Sequence, residues 1–220
     1  MSIMRKKTLI LLGTLSAILV AGFGCSGAKV DESDPAALYK EAEEEIKSDH
    51  YQIAIDKLRV IKNKFHYSKY SIDAQLRIAD VYFLQETYAE AATAYETFRD
   101  LHPKHEKTPY AMFRMGLSHF NDIPSPIARD LTPGQKAIDA FNEFLKKYPQ
   151  APEAAEAKEK VQEARKLLAE KELYIANFYY RGDDYSSAKT RYAKILDLYP
   201  ETESAAKAKE RLVKIEKNKP

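Results

Sequence analysis

The chain has 220 residues, of which 45% are hydrophobic and 31% charged, so it can bury a core. One Cys excludes a disulfide framework and a Cys-rich zinc site, and seven Gly cannot build a phosphate-cradling loop. The formal charge of +2 rests on Arg5, Lys6 and Lys7; the rest of the chain is close to neutral, which argues against nucleic acid as a partner.

Those three cations open the chain, and residues 8–24 follow without a charge, rich in Leu, Ile, Val and Ala. This is the basic and apolar order of an export signal. About 17 residues is the short limit for a spanning helix, so an uncleaved anchor is one alternative, and a secreted chain without lipid is another. The single Cys25 decides the reading: it follows the apolar run directly, after the small Gly24, in the pattern of a bacterial lipoprotein cleavage site. Gly22 and Phe23 depart from that pattern, which usually has Leu and a small residue there. The expectation is a signal peptide over 1–24, a lipidated Cys25 and a flexible tether over 25–34. By resemblance to other lipoproteins, Ser26 after the Cys favours the outer membrane over retention in the inner one.

From residue 35 onward the periodicity is helical. Helices are expected at about 35–48, 51–65, 70–85, 88–101, 109–121, 133–147, 152–181, 184–198 and 203–217. Asp34-Pro35, Thr108-Pro109 and Thr132-Pro133 read as capping side chains before a Pro in the first turn, and Thr132 with Gln135 as a capping box. Gly182 reads as a helix terminator.

A repeat runs through these helices. Ala91 is followed four residues on by Tyr95, Ala137 by Phe141 and Ala188 by Tyr192, and twelve residues on from each Ala stands a Pro: Pro103, Pro149 and Pro200. In the preceding helices Ala42, Ala79 and Ala176 stand at equal distances before Ala54, Ala91 and Ala188. These small and large contact positions are those of the tetratricopeptide repeat, a helix–turn–helix of about 34 residues. The fold expected is an all-α superhelix of about four to five such repeats, occupying 35–220. Two features depart from a plain array: an extra loop between Asn121 and Leu131, and a single long helix from Pro152 to Arg181.

No catalytic motif is present. His102 and His105 flank Pro103 and so do not share a helical face, and no metal or cofactor other than a covalent lipid is expected. Stacked repeats instead offer a groove lined by the first helix of each pair. Its expected lining is Tyr39, Leu76, Phe83, Tyr110, Phe113 and Phe120, joined by the acids Glu43 and Asp80; the alternative for each apolar residue is a core position. Such a surface suits an extended peptide with alternating aromatic side chains. Leu76 and Asp80 stand where a basic clamp for acidic tails would need Lys or Arg and Asn.

The loop ending Ala128-Arg129-Asp130-Leu131-Thr132, the run Ala140-Phe141-Asn142-Glu143-Phe144 with Tyr148-Pro149, and the helix from Leu168 to Tyr179 resemble the BamD family of outer-membrane assembly lipoproteins. The resemblance covers about residues 35–205. It implies a non-enzymatic, lipid-anchored protein facing the periplasm, in the machine that folds β-barrel proteins. It also implies that residues 35–131 receive unfolded barrel proteins and that residues 132–220 dock on the POTRA region of BamA. Arg191 matches the family's basic docking residue; the alternative is a solvated arginine. The family's C-terminal tail can contact other Bam lipoproteins, and this chain stops at Pro220. The competing reading is another repeat lipoprotein or periplasmic adaptor, serving cell-wall synthesis or a pilus secretin.

Overall fold

A computed structural model describes residues 33–217. The expected signal peptide, the expected lipidation site Cys25 and most of the expected tether lie outside the described residues. Within them the chain forms α1 (Pro35–Lys47), α2 (Tyr51–Lys64), α3 (Lys69–Leu84), α4 (Tyr88–Leu101), α5 (Thr108–Asn121), α6 (Thr132–Lys147), α7 (Ala154–Arg181), α8 (Tyr185–Leu198) and α9 (Glu203–Lys217). Each helix packs on its neighbour in sequence, and contacts that skip one helix join α1 to α3, α5 to α7 and α7 to α9. This is the tetratricopeptide-type superhelix, with odd-numbered helices forming one layer.

The repeat frame is visible in burial. Ala42, Ala54, Ala79, Ala91, Ala137, Ala176 and Ala188 are all fully buried, as are Tyr95, Phe141 and Tyr192. A methyl side chain lets two helices approach, and the aromatic four residues on fills the space beside the contact. In the third repeat the small residue is Gly116, and the ring of Phe141 lies so close that a Cβ there would meet it at 2.7 Å. That glycine is required by close approach, not by backbone freedom.

The turns within the repeats are equally regular. Asp49, Glu86 and Asp183 have φ of 60°, 59° and 61°, and each lies five residues before the Ala of the following helix. At each turn two hydrogen bonds close the helix end. Asp49 N donates to Ile46 O (3.1 Å) and His50 N to Glu45 O (2.9 Å). Glu86 and Thr87 repeat this onto Phe83 O and Tyr82 O, and Asp183 and Asp184 onto Tyr180 O and Tyr179 O. These are Schellman caps built without glycine. Gly182 therefore ends α7 from the C-cap position with φ −91°, and the left-handed residue is Asp183.

At the N-termini, Asp34 caps α1, accepting from Ala36 N at 2.8 Å. The other two expected caps are displaced by one residue. Thr108 is inside α5, where its hydroxyl donates back to His102 O (2.6 Å). Thr132 is inside α6, and its N and Oγ1 both donate to Asp130 Oδ1. Gln135 turns to Asp139 instead of closing a capping box. Pro at the second helical position of both helices accounts for the shift.

The two departures from a plain array are tied together. Lys171 on α7 donates to Ala128 O (2.8 Å) and Arg129 O (2.7 Å), pinning the inserted loop to the long helix. The first half of α7 buries Ala157, Val161 and Ala164 against α5 and α6. Its second half buries Ala169 and Ala176 against α8 and α9, and Leu168 packs on both cores.

Candidate functional site

Of the six residues expected to line a groove, four, Tyr39, Phe83, Tyr110 and Phe120, are half-buried. The other two are core. Leu76 is 4% exposed, packed with Ala79, Tyr95 and Ala111, and Phe113 is 6% exposed, with the rings of Phe141 and Phe144 both 5.8 Å away. The cause is the neighbouring helices: Leu76 shares a core with Tyr95 of α4 and Ala111 of α5, and Phe113 with Phe144 of α6 and Ala157 of α7. Phe120 is capped by Lys160 of α7, whose ammonium lies 4.7 Å from the ring centroid.

Beneath the aromatic residues lies a polar network that the sequence reading only touched through Glu43 and Asp80. Asp80 Oδ1 accepts from Tyr95 Oη (2.7 Å) and from Tyr110 Oη (2.9 Å). Its other oxygen faces Arg77 Nη1 at 3.5 Å. Arg77 also grips Glu43 of α1 with two parallel bonds of 2.6 and 2.8 Å. Four helices, α1, α3, α4 and α5, are thus joined by a charge-assisted chain whose Arg77–Glu43 link is of the strong bidentate kind.

Arg114 of α5 sits on this network. Its guanidinium carbon is 3.6 Å from the Phe83 ring centroid, and Nε donates to Tyr95 Oη at 3.3 Å. Neither terminal nitrogen has a hydrogen-bond partner among the described residues. Burial would lower its pKa, but Tyr95, Tyr110 and Asp80 more than offset that, and the net shift is upward. The site therefore holds a fixed cation with unused donors between aromatic faces.

The tyrosines are held as donors. Burial pushes the Tyr110 hydroxyl up to about 12, with Asp80 adding to it. Burial, then Glu43, pushes Tyr39 up to about 12 as well. Tyr95 is raised further in the same direction, by burial and then Asp80.

The C-terminal candidate behaves differently. Arg191 is 38% exposed and its Nη1 lies 3.1 Å from Glu172 Oε2; Glu172, at 12% exposure, also receives Lys194. Arg191 is therefore oriented by an acid of α7 and not free in solvent. Further along α7, Tyr174 and Phe178 are exposed. Signals for the polar network existed in the sequence: a buried Tyr needs a partner for its hydroxyl, and Asp80 and Asn177 directly follow the small residues Ala79 and Ala176.

Among the described residues no helix is long and apolar enough to cross a membrane, and no group of three His, Cys, Asp or Glu could hold a metal ion.

The chain matches the YfiO family, described as "Outer membrane lipoprotein", over residues 31–219. Among curated relatives, the outer membrane protein assembly factor BamD of Vibrio cholerae is 30% identical over 210 residues, covering 90% of this chain and 87% of the relative. The BamD proteins of Neisseria gonorrhoeae and Caulobacter vibrioides are 28% and 26% identical, covering 86% and 91% of this chain and 74% and 68% of theirs. With the all-helical repeat fold, this similarity over nearly the whole length of the described residues makes the chain a member of the YfiO family of outer membrane lipoproteins.

Proposed function

We propose that this protein is a non-catalytic adaptor of the β-barrel assembly machine, held at the outer membrane by lipid on Cys25 and facing the periplasm. Its N-terminal repeats receive unfolded outer-membrane proteins, and its C-terminal half, through Arg191, docks on the POTRA region of BamA. The family and the assembly-factor names of the relatives support the role. The observation that carries the substrate reading is Arg114, with both terminal nitrogens unused and Phe83, Tyr95 and Tyr110 around it. An extended strand presents main-chain carbonyls and alternating side chains, which match fixed donors between aromatic faces. No nucleotide step is needed, because binding and release of a strand are the whole task.

The test is co-purification. A C-terminally tagged, membrane-anchored copy is isolated from detergent-solubilised envelope, and stoichiometric recovery of a POTRA-barrel protein is expected. Recovery of cell-wall enzymes or a secretin instead overturns the assembly role. Arg191→Glu would set a second acid beside Glu172 and is expected to reduce that recovery while circular dichroism stays helical. Cys25→Ser is expected to move the protein out of the membrane fraction.

A further inference from the structure

α3 has a second working face. Two residues along a helix subtend roughly 200°, so Gln75, Ile78 and Tyr82 lie on the side away from Leu76, Asp80 and Phe83. On that side α2, α3 and α4 enclose a cleft of about 460 Å³. Its floor is apolar: Ile78 is 8% exposed and Phe98 1% exposed. Its rim is basic and amide-bearing, with Arg59, Lys62 and Gln75, and no acid lines it.

The two cations are placed differently. Arg59 is steadied, its Nη2 donating to Tyr82 Oη at 2.9 Å while Nη1 lies 3.4 Å from Asp56 on the same helix. The Lys62 ammonium has no hydrogen bond or ion pair among the described residues; only the backbone carbonyl of Lys62 is engaged from outside its helix, by Ser71 Oγ. Beside them Leu101, at 62% exposed, is an aliphatic side chain left largely in water at the end of α4. A leucine in water beside an apolar floor, rimmed by two cations of which only Arg59 has an acid beside it, is complementary to one kind of occupant.

We propose that this cleft docks an acidic polypeptide segment carrying aliphatic side chains, contributed by a partner protein, on the face of the repeats opposite the aromatic groove. The carboxylates meet Lys62 and Arg59, and an aliphatic side chain covers Leu101 and the floor at Ile78. The groove side suits such a segment less, since Arg77 is already paired with Glu43 and Asp80 and those two acids would oppose its carboxylates. The adaptor thereby has two independent faces, one for substrate and one for a partner, which need not compete.

The experiment titrates the detergent-solubilised full-length chain into two fluorescein-labelled heptapeptides at low salt. One is Asp-Glu-Leu-Asp-Leu-Glu-Asp; the other is its neutral isostere Asn-Gln-Leu-Asn-Leu-Gln-Asn. The acidic peptide is expected to bind about tenfold more tightly, with affinity falling as salt rises. Lys62→Glu and Leu101→Ser are each expected to weaken it about tenfold, while Lys209→Glu on the distant α9 leaves it unchanged. All three positions are exposed, and circular dichroism verifies that each variant stays helical. Absence of binding, equal affinity for the two peptides, or indifference to Lys62→Glu overturns the proposal.

Discussion

The second repeat and the last repeat are built on one frame and differ in the group that accepts from the buried tyrosine. In both, a fully buried tyrosine follows a fully buried alanine by four residues, and its hydroxyl donates across to the helix before it. In the last repeat the acceptor is Asn177 Oδ1 at 2.7 Å, and the contact is one neutral bond. In the second repeat the equivalent acceptor is Asp80, and the added charge recruits Tyr110 and Arg77, with Arg114 held nearby through Tyr95. The third repeat has neither: its aromatic is Phe141, its small residue Gly116, and the residue after that is Leu117. Sterics fix the frame in all three, and the polar variation laid over it decides where a charged network forms.

The sharpest way to break this comparison is to remove both acceptors in turn. Asp80→Ala strands two phenols and weakens the hold on Arg77, and is expected to cost about 2–3 kcal/mol. Asn177→Ala strands one hydroxyl and is expected to cost about 1 kcal/mol. Urea denaturation of the two variants measures the difference; equal losses would mean that Asp80 carries no more than its neutral counterpart.

The third repeat gives the next largest effect. Gly116→Ala drives a Cβ into the Phe141 ring, with an overpacking cost of about 1–3 kcal/mol. A helix-propensity gain of about 1 kcal/mol offsets part of it. At Gly134 the nearest side-chain atoms to a new Cβ are Leu168 Cδ2 at 3.4 Å and Ile123 Cδ1 at 3.5 Å, which is room enough, so Gly134→Ala is expected to be neutral or stabilising. Melting temperatures of the pair separate the two expectations.

A third test uses alkali. Tyr39 and Tyr110 ionise at about 12 in the folded protein against 10.0 for an unperturbed tyrosine. Their protonated form is thus preferred by the fold. The stability they contribute is fully present below pH 10 and is lost as pH rises from there through about 12. Absorbance at alkaline pH should show a late-titrating group that Tyr110→Phe removes, and the melting temperature of that variant should fall less steeply.

The smallest effects lie in the turns. Glu86→Gly relieves a left-handed residue and is expected to stabilise by about 1 kcal/mol. Asp183→Gly should gain less, because the Asp183 carboxylate accepts from Tyr185 Oη at 2.8 Å. Chemical denaturation of both variants ranks them.

Most of the frame was legible because repeat contacts are steric and recur in sequence. Ala79, Ala91 and Tyr95 announce a helix pair before any coordinate is known, and the loop and long helix stand out as breaks in the interval. The caps at Thr108 and Thr132 were misplaced by one residue because Pro is accepted anywhere in the first turn. Gly182 misled for a related reason: an Asp can take the left-handed position when its side chain has a local partner. The groove was legible only in part. Helical spacing put Leu76 and Phe113 on the same stripe as Tyr39 and Phe83, but which residues of a stripe stay open depends on the next helix, and that is tertiary information. Arg77 and Arg114 were missed because a long polar side chain on a helix face gives no sign of what it will reach.

The long helix has a mechanical consequence. At about 1.5 Å per residue, the 28 residues of α7 form one rod of about 42 Å. The inserted loop braces it through Lys171, and a separate core grips each half. A rod without a joint turns the cores at its two ends together, as a lever does. A push on α8 and α9 would therefore be felt at α5 as rotation rather than absorbed on the way. The compliance of the array would then lie in its short left-handed turns, at Asp49, Glu86 and Asp183.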